Sequence, residues 1–230
     1  MTPEEDPSRE PIAPQAGLFD IPQGARQARA RVVLLTGPSG SGKTWLARRV
    51  GLPVLNLDDF YFDHDHPGLP HRHGIVDWDS PETWNSAAAL DAIVSLARTG
   101  STDVPIYDIP TSSRTGATRL DLADAPIFIA EGIFAAELVK QAKAEDVMAD
   151  AICIVRPRAA TFFFRLSRDL GEARKPPLTL IRRGLSHARE EPKKIAHDLA
   201  LGCQPLTFSE AEQVVRAHVR QALLVRDSDS

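Results

Sequence analysis

The residues Gly37-Pro38-Ser39-Gly40-Ser41-Gly42-Lys43-Thr44 fit the pattern G-x-x-x-x-G-K-[ST] at every fixed position. Binding a polyphosphate calls for these residue types. Glycines let successive backbone N–H groups converge on phosphate oxygens with no Cβ in the way. A helix opening beside Gly42 adds its partial positive charge. Lys43 brings a full charge for the β- and γ-phosphates, and the Thr44 hydroxyl suits Mg²⁺. The rival reading is a glycine-rich turn with a surface lysine. It leaves unexplained the apolar run before the loop and the helical pattern after it. The loop is expected to hold a nucleoside triphosphate, ATP or GTP.

Transfer of the terminal phosphoryl group needs a metal-side acid and a base for the incoming hydroxyl. Two acids end apolar runs. Glu131 closes Pro126-Ile-Phe-Ile-Ala130, which suits the acid on the Mg²⁺ side, and Asp58 closes Val54-Leu-Asn-Leu57 and suits the base. Each could instead be an ordinary cap or loop carboxylate. The stretch Arg165-x-x-Arg168-Asp169 through Arg174-Lys175 offers guanidinium groups to stabilise charge on the phosphoryl oxygens. It reads either as a lid over the triphosphate or as a solvated helix. Other nucleotide-binding classes fit less well. Asp65-His-Pro-Gly68 matches D-x-x-G, yet no N-K-x-D guanine motif follows and no LSGGQ-type signature is present.

Strands and helices must alternate to place these groups. Arg31–Thr36, 53–57, 126–130 and 151–155 read as buried strands, and 104–107 as a short edge strand. Helices are expected from Gly42 to Gly51, from Ser80-Pro81-Glu82 to Gly100, and over 133–148, 159–171, 178–190 and 209–225. This order predicts an α/β fold, a three-layer P-loop architecture with a mainly parallel five-stranded sheet. Ligands then gather at the strand C-terminal ends. Residues 1–28, with five prolines and no apolar period, read as a flexible tail, and 29–230 as the catalytic domain. An irregular arm spans about 60–80, and the lid about 160–180.

Composition narrows the class further. The 230 residues carry 27 basic and 31 acidic side chains, a formal charge of −4, with 43% hydrophobic and 25% charged residues. That is globular usage. No apolar run approaches the roughly 20 residues of a membrane span, and no secretory signal opens the chain. Two cysteines, Cys153 and Cys203, make no disulfide framework and suit a reducing cytoplasm. Residues 156–198 hold eleven Lys/Arg against five Asp/Glu. Such a local excess suggests a small anionic partner, not nucleic acid or membrane. His64, His66, His71 and His73 allow a zinc site, although a polar substrate arm explains them as well. Oligomeric state, including a homo-oligomer, stays open.

Several segments together resemble the uridine/cytidine kinase family. They are the phosphate loop, Asp58-Asp-Phe-Tyr61, Asp77-Trp-Asp79-Ser-Pro-Glu-Thr-Trp84, Pro105-Ile-Tyr107-Asp108 with Arg114, Glu131-Gly-Ile133, and Arg165-x-x-Arg168-Asp169. They follow the family's order across about 32–175. The resemblance implies that Asp58 is the base for a nucleoside 5′-hydroxyl, that Tyr61 lines the acceptor pocket and that Asp79 accepts from the ribose hydroxyls. Tyr107 would lie near the base, Arg165 and Arg168 on substrate and phosphate, and Glu131 on the magnesium side. The implied reaction is Mg²⁺/ATP-dependent phosphorylation of a pyrimidine ribonucleoside. The chain departs from the family at Ile109 and Ser112, where an aromatic and a histidine commonly stand. It departs again at Glu172-Ala-Arg174-Lys175, and residues 176–230 match weakly. A kinase for another small hydroxyl acceptor, of pantothenate or sugar-phosphate type, and a non-transferring ATP-binding module remain the rival readings.

Overall fold

A computed structural model describes residues 28–38, 40–72, 74–156 and 191–228. Strand β1 (Arg31–Thr36) is buried at every position after Arg31, and its side chains alternate between two cores. Val32 and Leu34 face one core, Val33 and Leu35 the other. That two-sided burial is what an all-apolar run in a parallel sheet signifies. Strands β2 (Val54–Asn56), β7 (Ile127–Glu131), β8 (Met148–Ile154) and β9 (Gln204–Leu206) complete the sheet in the order β2-β7-β1-β8-β9. All four pairings are parallel.

Helices cover both faces. On one side α1 (Lys43–Val50) and the C-terminal α5 (Phe208–Ser228) share a core through Leu46, Ala47, Ala211 and Val215. The opposite core takes Ile93 and Leu96 of α2 (Ser86–Thr99) and Ala142 of α3 (Val139–Ala144). A further helical stretch, α4, spans 191–200 and leads into β9. The result is the expected three-layer α/β/α fold with a five-stranded sheet.

Individual elements differ from the sequence reading. The fifth strand of the sheet is β9, with Pro205 inside it at the sheet edge, where a missing N–H costs least. Residues 104–107 belong instead to a separate antiparallel hairpin, β5 (Ser101–Asp108) with β6 (Ser113–Asp121). The helix expected from Ser80 is interrupted: a single 3₁₀ turn covers Pro81–Thr83, and α2 starts only at Ser86, capped by the Asn85 side chain on the Ala88 N–H. Trp84 causes the break. Its ring is buried and its Nε1 donates to the Leu57 carbonyl at 2.7 Å, which the extended backbone there permits. Over 133–148 the chain forms a 3₁₀ turn at Ala135–Leu138 and the short α3, and β8 takes up Met148. A small hairpin, β3 (His71–Arg72) with β4 (Ile75–Val76), lies within the expected arm. The helices expected at 159–171 and 178–190, and the tail over 1–27, lie outside the described residues.

Candidate functional site

Strand β1 delivers the chain to the phosphate loop, and Gly37 makes the turn possible. Its φ is +132°, and a Cβ there would meet the Ile154 carbonyl oxygen at 2.7 Å. Pro38, Gly40, Ser41 and Gly42 follow, with Ser39 outside the described residues. The Ser41 hydroxyl is buried with no hydrogen-bond partner among the described residues. Lys43 is buried, and its Nζ donates to the loop's own carbonyls, Gly37 at 2.9 Å and Pro38 at 3.4 Å. Burial lowers its pKa, opposed by the nearby carboxylates of Glu131 and Asp58.

The two strand-end acids both act on this lysine. Glu131 ends β7 beside β1, buried, and its Oε1 accepts from the Thr44 hydroxyl at 2.6 Å. Asp58 follows β2, the next strand out, in a 3₁₀ turn over Leu57–Phe60. Its Oδ1 accepts from the Ile133 N–H at 3.2 Å. Burial raises the pKa of both acids, and Lys43 pulls both back down. Gly132 lets these two strand ends approach: a Cβ there would stand 2.8 Å from Leu57 Cβ and 3.0 Å from Asp58 Oδ1. A hydroxyl and a carboxylate 2.6 Å apart are hard oxygen donors that fit Mg²⁺. Among the described residues no group of three or more His, Cys, Asp or Glu could hold a metal. Mg²⁺ needs few protein ligands, because phosphate and water complete its shell.

Next to Asp58 lies an aromatic wall. Tyr61 packs against Trp78, Tyr107 and Phe134 with ring centroids 5.7, 5.9 and 6.0 Å away. The Tyr61 hydroxyl donates to the Trp78 carbonyl at 3.1 Å, and that of Tyr107 to the Phe62 carbonyl at 3.1 Å. Burial raises the pKa of both phenols, so they stay neutral donors. The charges of Asp58 and Asp79 both act on Tyr61. Asp79 itself is exposed.

Thus the structure gathers Lys43, Thr44, Asp58 and Glu131 at one sheet edge and places Tyr61, Tyr107 and Asp79 alongside. Arg165 and Arg168 lie outside the described residues, as does His73. The other arm histidines have separate partners: His64 Nδ1 pairs with the Ser113 hydroxyl at 3.1 Å, His71 Nδ1 with the Leu69 carbonyl at 2.8 Å, and His66 stacks on Phe62 at 4.0 Å. Sequence reasoning missed Phe134, Lys194 and Asp198. Phe134 follows Glu131-Gly-Ile133 directly, so the pattern pointed at it. Lys194 and Asp198 come from α4, in the weakly matching C-terminal stretch, where the only signal was an acid four residues after a lysine.

Comparison with known proteins agrees with this geometry at the level of fold. No protein-family model matches the chain. Inorganic pyrophosphatase TTM1 of Arabidopsis thaliana is 27% identical over 139 residues, 56% of this chain and 20% of that protein. TTM2 of the same plant is 32% identical over 111 residues, 45% of this chain and 15% of that protein. Uridine kinase of Saccharomyces cerevisiae is 26% identical over 151 residues, 60% of this chain and 29% of that protein. The matched regions therefore span less than a third of each curated relative. Among solved structures, a protein from Silicibacter sp. TM1040, provisionally assigned as a fructose transport system kinase, superposes with a TM-score of 0.53. It is 22% identical and covers 71% of this chain and 85% of its own. The chain shares the three-layer α/β/α fold of that structure, and a uridine kinase is among its distant relatives.

Proposed function

We propose that the chain is an ATP- and Mg²⁺-dependent phosphotransferase acting on the 5′-hydroxyl of a pyrimidine ribonucleoside, uridine or cytidine. One observation carries the proposal: Asp58 and Glu131 come from the ends of adjacent strands and both act electrostatically on the phosphate-loop Lys43, and an aromatic wall continues from the Asp58 segment through Tyr61. A phosphate-loop hydrolase or switch needs the metal-side acid; a second, half-buried acid beside a ring-lined wall serves a hydroxyl acceptor.

The loop N–H groups and Lys43 hold the donor's β- and γ-phosphates. Lys43 must release the Gly37 and Pro38 carbonyls to do so, and the incoming phosphate oxygens replace them. Thr44 and Glu131 would hold Mg²⁺, which supplies charge neutralisation across the phosphates. Tyr61 and its neighbours orient the acceptor so that its hydroxyl meets Asp58. Asp58 takes the hydroxyl proton as the acceptor oxygen bonds to the γ-phosphorus and the bond to the β,γ-bridging oxygen breaks. Burial raises the proton affinity of Asp58, which suits a base, and Lys43 opposes that rise. Arg165 and Arg168 contribute guanidinium charge to the transferring group. Asp79 accepts from the 2′- and 3′-hydroxyls of the ribose. Of the two rival readings, a different hydroxyl acceptor has an observation in its favour. Ile109, at a position where the resembled family reads the base, is 70% exposed at the tip of the β5–β6 hairpin.

The test is an acceptor panel with Mg²⁺ and ATP, read by product mass. Uridine and cytidine should yield monophosphates, and Lys43→Ala should lower turnover by about two orders of magnitude or more while the fold persists. Phosphorylation of a sugar or pantothenate-type acceptor alone would replace the nucleoside reading. Hydrolysis without any transfer would replace the kinase reading.

A further inference from the structure

Lys194 reaches the acceptor side of the site from the far end of the sequence. It sits on α4, and its Nζ donates to the Ile133 carbonyl at 2.6 Å. The same Ile133 residue donates its N–H to Asp58 Oδ1 at 3.2 Å. One residue of the β7 exit loop therefore joins the lysine to the acid. Lys194 is itself held from behind. Asp198 Oδ1, one helical turn on, lies 3.7 Å from Nζ, and Asp198 Oδ2 accepts from the Thr36 hydroxyl at 3.0 Å, tying the pair to the end of β1. The ammonium also rests 5.4 Å from the centre of the Phe134 ring, part of the acceptor wall.

We propose that Lys194 is a positioning residue for the Asp58 carboxylate: it fixes the Ile133 backbone that holds Asp58 and adds a second positive charge to that of Lys43 near the same acid. This rests on the reading of Asp58 as the acceptor base. Among the described residues, the charged and titratable groups that interact electrostatically with Asp58 are Lys43 from α1, Glu131 from β7, Asp59 and Tyr61 from its own segment, and Lys194 from α4. Burial favours the protonated, inactive form of Asp58, and the two lysines oppose it. Lys194 thus makes the C-terminal stretch a part of the transfer site.

The test uses the full chain labelled with ¹³C-carboxyl aspartate, the Asp58 signal being assigned by its loss in Asp58→Asn. Lys194→Met should raise the titration midpoint of Asp58 by about one pH unit, as removal of a nearby opposite charge does. Lys194→Arg should leave it within a few tenths. With ATP and the accepted substrate, Lys194→Met should lower kcat about tenfold at neutral pH and move the acidic limb of the kcat profile upward. Should Lys194→Met fail to fold, Lys194→Gln removes the charge while keeping a donor, and the same shift is expected. An unmoved Asp58 midpoint, or a fall in kcat with an unmoved acidic limb, would overturn the proposal. Full turnover in Asp58→Asn would instead overturn the reading of Asp58 as base, whatever the titration shows.

Discussion

At the residue scale the site contains opposed charges held out of water. Asp58, Glu131 and Asp198 all have carboxyl pKa values raised by burial, and Lys43 has its own lowered for the same reason. Such groups serve a ligand at some expense to the fold. For Asp58 the sign is the reverse of a salt-bridged surface aspartate. Its folded-state pKa lies above the unfolded value, so the folded chain binds the proton more tightly. Stability therefore falls as pH rises from the unfolded value, near 3.9, through the folded one. Asp58→Asn removes that penalty. At pH 8 without nucleotide the variant should melt a few degrees above the wild type, and the gap should close as pH falls and wild-type Asp58 takes up its proton. An equal gap at every pH down to 4 would show that Asp58 is not destabilised by its charge. Asp58 and Glu131 were legible in the sequence because a carboxylate ending an apolar run stands at a sheet edge whatever the rest of the fold does. Lys194 was not, because its contact with Ile133 spans 61 positions and leaves no local pattern.

At the element scale, β2 and β7 must bring their C-terminal ends close enough for Asp58 and Glu131 to share Lys43. Gly132 sets that approach. A methyl group there meets Leu57 Cβ at 2.8 Å and Asp58 Oδ1 at 3.0 Å, and both belong to the turn that carries Asp58. Gly132→Ala should push that turn outward. Displacement of a catalytic group by an ångström can reduce turnover about 10²-fold. The expected result is a loss of that order in kcat, with ATP binding retained because the phosphate loop is untouched, and a stability cost of about 1–3 kcal/mol. Unchanged kcat would show that the turn yields without moving Asp58. The elements also show what periodicity conveys. Buried strands such as β1 and β7 declare themselves as apolar runs. The break before α2 depends on Trp84 finding the Leu57 carbonyl, and so the strong local start at Ser80-Pro81-Glu82 extends for a single turn only. Likewise β9 is too short, and its Pro205 too discouraging, to be seen before β8 offers it a partner.

At the scale of the whole molecule, the proposed donor and acceptor sites draw on different parts of the chain. The donor half is local: loop, helix and strand lie within Arg31–Val50, and it was readable as a single motif. The proposed acceptor half draws on the arm, the β5–β6 hairpin, the β7 exit loop and α4, so on that reading its selectivity follows from tertiary placement. Asp79 tests that assembly, because it belongs to the arm and acts electrostatically on Tyr61 beside Asp58. A carboxylate there can accept from two neighbouring hydroxyls at once, which suits the cis-diol of a ribose. Removing the 2′-hydroxyl forfeits a hydrogen bond to a charged group, worth about 1.5–3 kcal/mol, or roughly ten- to hundred-fold in kcat/KM. Uridine should therefore outperform 2′-deoxyuridine by that factor, and Asp79→Ala should level the two mainly by lowering the rate with uridine. Because Asp79 is exposed in the free chain, the discrimination requires the acceptor itself to cover it. It should appear in kcat/KM and leave ATP affinity measured without acceptor unchanged. Equal use of both sugars by the wild type would remove Asp79 from the acceptor site, and a preference that survives Asp79→Ala would assign the diol to another residue.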